Sequence, residues 1–424
     1  MFLFVLVGCF IVLLSIGLPI GIALGLTTTV VILWMSNLNV ILVAQNAVAA
    51  LDSFPLLALP FFVLAGNLMF YGGISRRLLN LADAMVGRVI GGLGMVTTVA
   101  CMFFAAISGS GPATVSAIGT IIIPSMKDKK YDVNYAAAIT AAAGSIGVII
   151  PPSIPFVIYA VITGASVADL FLAGVVPGLI MGFALMLTNF IMSKKYGYKG
   201  RETAGSEKWS VFKESIWALV MPVIILGGIY GGIFTPTEAA VVGCVYALVI
   251  GIFVYREIGI KEVYDALKDT GLITGATVFT LAFSTSFATL ITMKQIPNMV
   301  ANYLSSVSDS PFVIMMIINV FLLMVGCFVD NISACIILSP ILLPIVTKLG
   351  VDIVHFGVIM TVNLAIGFCT PPYGINLFVA AAVADTSVAK ISKFILPFIL
   401  AMIITLLITT YIPPVSMFLP TLLK

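Results

Sequence analysis

Charged residues are scarce in this sequence. Only 9% of the 424 residues are Asp, Glu, Lys or Arg, whereas a soluble domain carries about 25%. Hydrophobic residues make up 61%. A chain with so few charges cannot cover its surface for water, which excludes a soluble domain and indicates a protein that lies mostly in lipid.

Histidines and paired cysteines are also lacking. His355 is the only histidine, and we do not expect it to relay protons. The six cysteines lie in apolar segments without CxxC spacing, so neither a disulfide framework nor a metal-binding cluster is indicated. The first residues have no basic leader and no small-residue cleavage site, so we predict that 1–35 forms two helices rather than a signal peptide.

Long apolar runs follow one another along the whole chain. At about 20 residues per crossing, there is room for about ten membrane spans. We therefore predict an all-α polytopic membrane protein with a single membrane domain over 1–424. Hydropathy and Gly/Pro breaks place the spans near 2–18, 19–35, 47–70, 133–162, 170–193, 211–231, 237–255, 271–293, 353–384 and 391–413.

Two further apolar segments do not fit as simple spans. Segments 91–126 and 311–346 are too long for one crossing and too short for two crossings with a loop. Each has a polar centre, SGSGP at 108–112 and VDNIS at 329–333. We predict that both are re-entrant hairpins, which enter and leave the membrane on the same side.

The basic residues give the orientation. Short cytoplasmic loops are enriched in Lys and Arg. With both hairpins in place, all but three of the 20 Lys and Arg residues fall on one side, the exceptions being Lys294, Lys348 and Lys424. A full crossing at either hairpin would scatter the basic loops. We therefore predict that both termini are periplasmic, that the first hairpin opens to the cytoplasm and that the second opens outward.

The chain contains an internal repeat. A shift of 220 residues aligns two copies of G-x-x-x-P-P together with upstream Pro and Asp residues: Pro124 with Pro344, Asp132 with Asp352, Gly147 with Gly367, and Pro151-Pro152 with Pro371-Pro372. Five crossings separate equivalent points, so the halves 1–210 and 211–424 are predicted to have inverted topology. Secondary transporters place their substrate and ion sites where such repeats meet.

The repeated motif predicts a broken helix in each half, over 133–162 and 353–384. Consecutive prolines remove two amide donors, and glycine adds torsional freedom, so the helix must unwind there. Freed carbonyls inside a membrane need a partner, and a sodium ion suits them. The helix N-termini that begin at the breaks favour an anionic substrate. A kink needed only for helix packing would explain a single Pro-Pro pair. Two pairs at equivalent positions of the repeat, each beside a polar hairpin tip, favour a binding site.

Asp330 is the only acid that we place in the membrane interior. A carboxylate there predicts a functional role in ion coordination or in hydrogen bonding of the hairpin tip. The alternative is structural, with Asp330 capping a helix that begins at Asn331. The two roles are compatible.

Four motifs resemble those of a known family: SGSGPATVSAIGTIIIP (108–124), GSIGVIIPPSIPFVIYAVITGASVADLF (144–171), GGIFTPTEAAVV (231–242) and GFCTPPYGINLFVAA (367–381). They are similar to the large membrane (M) subunit of tripartite ATP-independent periplasmic (TRAP) transporters. The resemblance covers essentially the whole chain. Within the family, the sequence most resembles the sialic-acid branch.

The resemblance implies an elevator-type transporter in which hairpins and broken helices move against a static scaffold. It also implies a small four-helix membrane subunit (Q type) on a separate chain, a periplasmic substrate-binding protein (P type), and Na+ as the coupling ion without an organic cofactor. Carried over by position, the sodium-binding residues would be Ser108, Gly147, Ile150 and Ser153 in one site, and Gly326, Gly367, Thr370 and Tyr373 in the other. We expect substrate near Ser110, Pro112, Pro152, Asp330 and Asn331.

The expected function is sodium-coupled uptake of a small organic acid anion, of the sialic acid or C4-dicarboxylate class, across the bacterial inner membrane. One alternative is a divalent-anion/sodium symporter that needs no binding protein. An intramembrane protease is a remote alternative, since Gly109-Ser110-Gly111 has no histidine nearby in sequence and Asp330 has no second membrane aspartate to pair with. A channel would need several subunits around one axis. We do not expect an enzyme.

Overall fold

The computed structural model describes residues 2–35, 38–200, 208–308 and 310–423. Lys424 and the segment 201–207, next to the predicted boundary between the halves, lie outside the described residues. Within them the chain forms α-helices and no strand, in the order α1 Phe2–Ser15, α2 Ile20–Met35, α3 Ile41–Leu51, α4 Ala58–Tyr71, α5 Ile74–Val86, α6 Gly92–Ser108, α7 Gly111–Asp128, α8 Val133–Gly144, α9 Ile154–Thr163, α10 Val167–Tyr196, α11 Lys208–Tyr230, α12 Pro236–Val249, α13 Ile260–Met293, α14 Ile296–Val307, α15 Pro311–Gly326, α16 Asn331–Lys348, α17 Ile353–Gly367, α18 Ile375–Ala384, α19 Val388–Tyr411 and α20 Pro414–Leu422.

Seven helices of the described chain are long and apolar enough to cross a membrane. The predicted span 47–70 is wrong in one respect, because α3 ends at Leu51 and a 3-10 turn, Phe54–Leu57, precedes α4. Pro55 explains the break, since it cannot continue α3 but fits the first turn of a new helix. The predicted span 271–293 begins too late, because α13 starts at Ile260.

Both predicted hairpins are present as helix pairs. The helices α6 and α7 are joined by Gly109 and Ser110, and Gly109 turns the chain at φ 61°. The helices α15 and α16 are joined by residues 327–330. Asp330 is the last residue of this connection and caps α16, because its carboxylate accepts a hydrogen bond from the Ser333 N–H at 2.9 Å. Each hairpin therefore has its polar centre at the tip.

Both broken helices are present as well. Asp132 and Asp352 begin α8 and α17 by accepting hydrogen bonds from backbone N–H groups of the first turn. In the first half, α8 runs into a 3-10 turn, Ser145–Val148, and helical structure resumes at Ile154. In the second half, α17 ends at Gly367 and α18 begins at Ile375. The Pro-Pro peptide bond is cis in both breaks.

The order of elements repeats in the two halves. A long helix, an amphipathic helix, a hairpin, a broken helix and a second long helix run from α4 to α10 and again from α13 to α19. The amphipathic members are α5 and α14. This order agrees with an inverted repeat, while the boundary at 210 stays a prediction.

The two halves are interlocked around their breaks. The half-helix α9 packs against hairpin helix α16 of the other half, and α18 packs against hairpin helix α7. Outside these elements, α13 packs against α2, α3 and α4, and α12 packs against α4. This layer contacts the hairpins where α4 meets α6 and where α13 meets α16. The amphipathic helices α5 and α14 also contact hairpin helices, α6 and α16 respectively. The hairpins and breaks thus form one body on which α10 and α19 pack, and α13 with α2, α3, α4 and α12 forms a second.

Candidate ion and substrate site

The first tip, 108–112, lies directly on the first break, 147–154, and we call the two together the first tip-and-break unit. The Ile154 N–H donates to the Gly109 carbonyl at 3.2 Å. A Cβ atom on Gly147 would lie 2.5 Å from Thr114 Oγ1 and 2.7 Å from the Ser110 carbonyl oxygen. Only glycine therefore allows the broken helix to approach the hairpin this closely.

This unit concentrates carbonyl oxygens that lack N–H partners. In a continuous helix, Gly147 would accept from residue 151, but Pro151 has no N–H. Ile150 would accept from Ile154, whose N–H is bonded to Gly109 instead. Among the described residues, neither carbonyl accepts a hydrogen bond across the break. The predicted ligands Ser108 and Ser153 are buried beside them.

The second tip, 326–331, lies on the second break, 367–375, and these form the second tip-and-break unit. A Cβ atom on Gly367 would lie 2.4 Å from the Gly326 carbonyl oxygen. The Gly326 and Tyr373 carbonyls accept no hydrogen bond from the described residues. Thr370 Oγ1 donates to the Ile366 carbonyl at 2.9 Å, which leaves its lone pairs available.

Both units fit a sodium ion by the chemistry of their donors. Neutral carbonyl and hydroxyl oxygens are hard ligands suited to hard cations. No described group of three or more His, Cys, Asp and Glu residues could hold a metal ion, so a transition-metal centre is not indicated in this part of the chain. The predicted sodium ligands would supply backbone carbonyls plus the Ser108, Ser153 and Thr370 hydroxyls.

A cavity of about 130 Å³ lies between the two tips. Four half-helix N-termini line it: Gly111 and Pro112 of α7, Ile154 and Pro155 of α9, Asn331 and Ile332 of α16, and Ile375 of α18. Each N-terminus carries a partial positive charge. No Lys or Arg is among the lining residues. The lining thus combines four helix N-termini with one carboxylate, Asp330, and no formal cation.

The predicted substrate residues meet at this cavity with one exception. Ser110, Pro112, Asp330 and Asn331 all line it. Asp330 caps α16 and also faces the cavity, so both interpretations of this residue are supported by its position. Pro152 is not among the lining residues, and its carbonyl lies against Gly109 behind the tip.

Asn331 is the most unusual polar residue of the cavity. Its side chain is 1% exposed, and neither amide atom has a hydrogen-bond partner within the described chain. Leaving a buried polar group unsatisfied costs about 1–3 kcal/mol. A ligand that both accepts and donates hydrogen bonds would remove this cost.

A second amide, Asn376, was missed by the sequence analysis. Its Nδ2 donates to the Ala141 carbonyl and to Ser145 Oγ, both at 3.1 Å. Its Oδ1 is buried without a hydrogen-bond partner among the described residues. A Cβ atom on Gly111 would lie 3.2 Å from this oxygen. Asn376 lies in the GINLF stretch of one of the four motifs. The sequence of this apolar run does not indicate where the Asn376 amide points.

That Asp330 is the only acid in the membrane interior stays a prediction. Asp269 nevertheless lies inside a candidate span. The reason is the early start of α13, which carries Asp269 into the helix. Tyr71 donates to Asp269 Oδ2 at 2.7 Å. Asp269 lines a separate cavity of about 300 Å³ that also contains Ser108 and Ser110.

His355 pairs with the C-terminal helices. Its Nδ1 lies 2.6 Å from Ser416 Oγ, and its Nε2 lies 3.4 Å from the Thr410 carbonyl. Ser110 instead lines the central cavity. The geometry does not bring the histidine and the serine together.

The sequence profile described as "Tripartite ATP-independent periplasmic transporter, DctM component" matches residues 7–415. This chain belongs to that family. The family assignment predicted from the four motifs is therefore confirmed, and the paired hairpins and broken helices are its transporter fold.

Several relatives cover nearly the whole chain. It is 49% identical to the isethionate TRAP transporter permease DctMQ of Oleidesulfovibrio alaskensis over 98% of its length, but spans only 66% of that protein. It is 37% identical to the C4-dicarboxylate large permease DctM of Rhodobacter capsulatus, covering 98% of both chains. The sialic acid large permease SiaM of Vibrio cholerae is 38% identical, covering 97% of this chain and 96% of SiaM. Identity therefore does not single out the sialic-acid branch.

A solved structure shares the fold. The Alcanivorax borkumensis YdaH transporter, reported to have an unusual topology, superposes with a TM-score of 0.62 at 14% identity. The match covers 88% of this chain and 87% of YdaH. At this identity the likeness concerns the fold alone.

Proposed function

We propose that this chain is the large membrane subunit of a TRAP transporter that takes up a small organic acid anion across the bacterial inner membrane, driven by sodium. The observation that carries the proposal is the cavity lined by four half-helix N-termini. Helix N-termini bind anions through their N–H groups and dipoles. Broken helices at a repeat interface are where secondary transporters bind substrate.

Sodium coupling follows from the placement of the two tip-and-break units. Each unit offers neutral oxygens next to the same cavity, so a bound cation would add positive charge beside the substrate. Binding of the cation and the anion would then be mutually favourable, and this coupling is necessarily reciprocal. The sodium-binding residues predicted from the family supply the ligands.

An elevator mechanism is supported by the division into two bodies. The interlocked hairpins and breaks would move as one unit against α13 and its neighbours. A cavity of about 300 Å³ separates the bodies beside the first tip, and one of about 580 Å³ separates them beside Thr285, Thr289 and Pro340. These spaces lie towards the two ends of α13, as alternating access requires.

The partners in this proposal are a four-helix Q-type subunit and a periplasmic P-type binding protein. The relative named DctMQ is consistent with a small subunit that works together with this one. Both termini would face the periplasm. The basic residues Arg76, Arg77 and Lys261 would then lie at the cytoplasmic ends of α5 and α13.

The cavity size favours a short acid. Its volume is about 130 Å³. Relatives are named for C4-dicarboxylate, isethionate, 2,3-diketo-L-gulonate and sialic acid transport. Among these, a two- to four-carbon acid fits better than nine-carbon sialic acid.

Uptake by proteoliposomes tests the proposal. The complex should accumulate a radiolabelled short-chain acid only with an inward sodium gradient and its binding protein. Replacing sodium by potassium at equal ionic strength is the control. Uptake without the binding protein would favour the divalent-anion/sodium symporter alternative, and uptake indifferent to sodium would refute the coupling.

A further inference from the structure

A pocket at the end of the first hairpin away from its tip has no role in the proposed transport. Its volume is about 530 Å³, and it is bordered by Lys129, Lys130, Tyr131, Tyr196, Tyr198 and Lys199. These residues come from the α7–α8 turn and from the strap 196–200 that follows α10. We propose that this pocket binds an anionic phosphate group, supplied by a phospholipid headgroup of the cytoplasmic leaflet.

The pocket is held in shape by specific contacts. The rings of Tyr131 and Tyr198 stack with centroids 4.1 Å apart. The Tyr198 carbonyl accepts from the Gly91 N–H at 3.0 Å, which ties the strap to the start of the hairpin. Gly197, at φ 75°, makes the turn that begins the strap. The walls are therefore ordered before any ligand arrives, which lowers the entropy cost of binding.

The lysines of the pocket have no ion-pair partner among the described residues. None of Lys129, Lys130 and Lys199 forms an ion pair with a described residue, and the ion pairs found among the described residues join Arg76 and Arg77 to Glu257. Two carboxylates lie close by in sequence: Asp128, next to Lys129, is exposed and forms no ion pair with a described lysine, and Asp132 is engaged in capping α8. Three unpaired ammonium groups around one cavity attract an anion.

Tyr198 adds a directed donor. Its hydroxyl oxygen accepts from the Asp132 N–H at 3.1 Å, so its own proton is free to point elsewhere. Burial raises the pKa of Tyr198, which keeps that proton in place at neutral pH. A phosphate oxygen is a suitable acceptor.

The position of the pocket favours a lipid over a soluble phosphate. It lies where α7 and α10 end, on the side that the basic loops assign to the cytoplasm, and tyrosines are enriched at this depth. Basic pockets between membrane helices on this side bind anionic headgroups. Ordinary enrichment of cytoplasmic loops in lysine explains the charges but not the preformed, tyrosine-stacked walls.

Two triple variants of the full chain test the site. One is Lys129→Gln with Lys130→Gln and Lys199→Gln. Its matched control is Lys127→Gln with Lys194→Gln and Lys195→Gln, which removes the same charge from residues outside the pocket lining. Binding of dioleoyl phosphatidylglycerol in detergent is measured by native mass spectrometry and by thermal stability. We expect the pocket triple to bind this lipid more weakly by about fivefold per lysine, and the control triple to resemble the wild type.

Competing outcomes are separated by two further arms. Equal loss in both triples would assign the effect to net charge and overturn the site. Saturation by millimolar inorganic phosphate, with displacement of the lipid, would assign the pocket to free phosphate and overturn the lipid source. Dioleoyl phosphatidylcholine, whose anionic phosphate is offset by its own choline cation, should bind to the wild type more weakly than dioleoyl phosphatidylglycerol. Equal binding of the two lipids would overturn recognition of an anionic headgroup. None of these results depends on transport.

Discussion

The two tip-and-break units contain the same parts but differ in burial. At the first break, Pro151, Pro152 and Ser153 are all buried. At the second break, Tyr373 is 63% exposed, and the adjacent tip residue Phe328 is 67% exposed. The first unit therefore belongs to the packed interior, while the second has room to open.

The covering helices explain this difference. Two glycines let α10 lie on the first break, because a Cβ atom on Gly174 would lie 2.4 Å from the Ile149 carbonyl oxygen and one on Gly178 2.4 Å from the Ile150 side chain. The 220-residue shift places Phe394 and Phe398 at these positions in α19. Their rings pack around Tyr135 instead. We therefore expect the first unit, which α10 covers, to behave as a fixed wall and the second, which is partly exposed, to behave as a movable gate.

Alanine at the break glycines should have the largest effect. Gly147→Ala and Gly367→Ala each insert a methyl group between tip and break, and we expect sodium-dependent uptake to fall by about a hundredfold in both, since misplacement by about 1 Å costs this much at a preorganised site. Both glycines are buried, and overpacking a buried site costs about 1–3 kcal/mol. We expect Gly147→Ala to lower the melting temperature more than Gly367→Ala, because the exposed second tip can move aside.

The control for this pair is Gly271→Ala in α13, where a Cβ atom meets nothing within 4 Å. It should retain uptake and stability. Equal destabilisation by both break variants would contradict the distinction between wall and gate. Full uptake by Gly367→Ala would remove the second break from the sodium site.

The helix caps at the tips offer the next largest contrast. Asp330→Asn keeps a capping side chain but removes the charge from the cavity, and we expect uptake to fall by about 10- to 100-fold, as for a lost charged hydrogen bond. Ser110 occupies the equivalent position without a side-chain cap bond. Ser110→Ala should therefore change uptake only a few-fold.

The effects of both cap substitutions are measured as initial rates of uptake at varied sodium concentration, with expression matched by immunoblot. An Asp330→Asn transporter with an unchanged rate and unchanged sodium dependence would exclude this carboxylate from the mechanism. A larger loss for Ser110→Ala would reverse the assignment of roles to the two tips.

The breaks and tips could be predicted from sequence because their causes are local. Pro151-Pro152 and Pro371-Pro372 lack N–H groups wherever they fold, and Asp132 and Asp352 cap helices through their own first turns. The shift of 220 residues then paired them. Local chemistry was sufficient for the architecture of each half.

Burial and the polar partners could not be predicted, because they depend on which helix covers which. The role of Gly174 follows only from the approach of α10 to the break, and that of Asn376 only from its contact with α8 of the other half. Asp269 was missed because hydropathy places the helix start too late. Residues that act across the two halves need the tertiary structure.

Asn331→Leu should separate stability from transport. Leucine has a similar volume and removes two unsatisfied polar atoms, so the melting temperature should rise or stay unchanged. Uptake should fall by about three- to tenfold, the value of one neutral hydrogen bond. Asn363→Leu is the comparison, since the Asn363 amide donates to Asn319 at 2.9 Å and its loss should lower stability. Unchanged uptake by Asn331→Leu would place the substrate elsewhere.

The smallest expected effect is a change in the labelling rate of cysteines at the two tips, which tests whether the second tip acts as a gate. In a cysteine-free background, Phe328→Cys should react quickly with a soluble maleimide, and Ser108→Cys slowly, because Ser108 is buried. Sodium and substrate together should slow labelling at 328 by about threefold, since ligands shift the population towards a closed tip without abolishing opening. The rate at 108 should change less, because the first tip is held by the Ile154 N–H and by α10. If instead position 108 responded more strongly, the first unit would be the gate, and the glycines of α10 would mark a hinge rather than a wall.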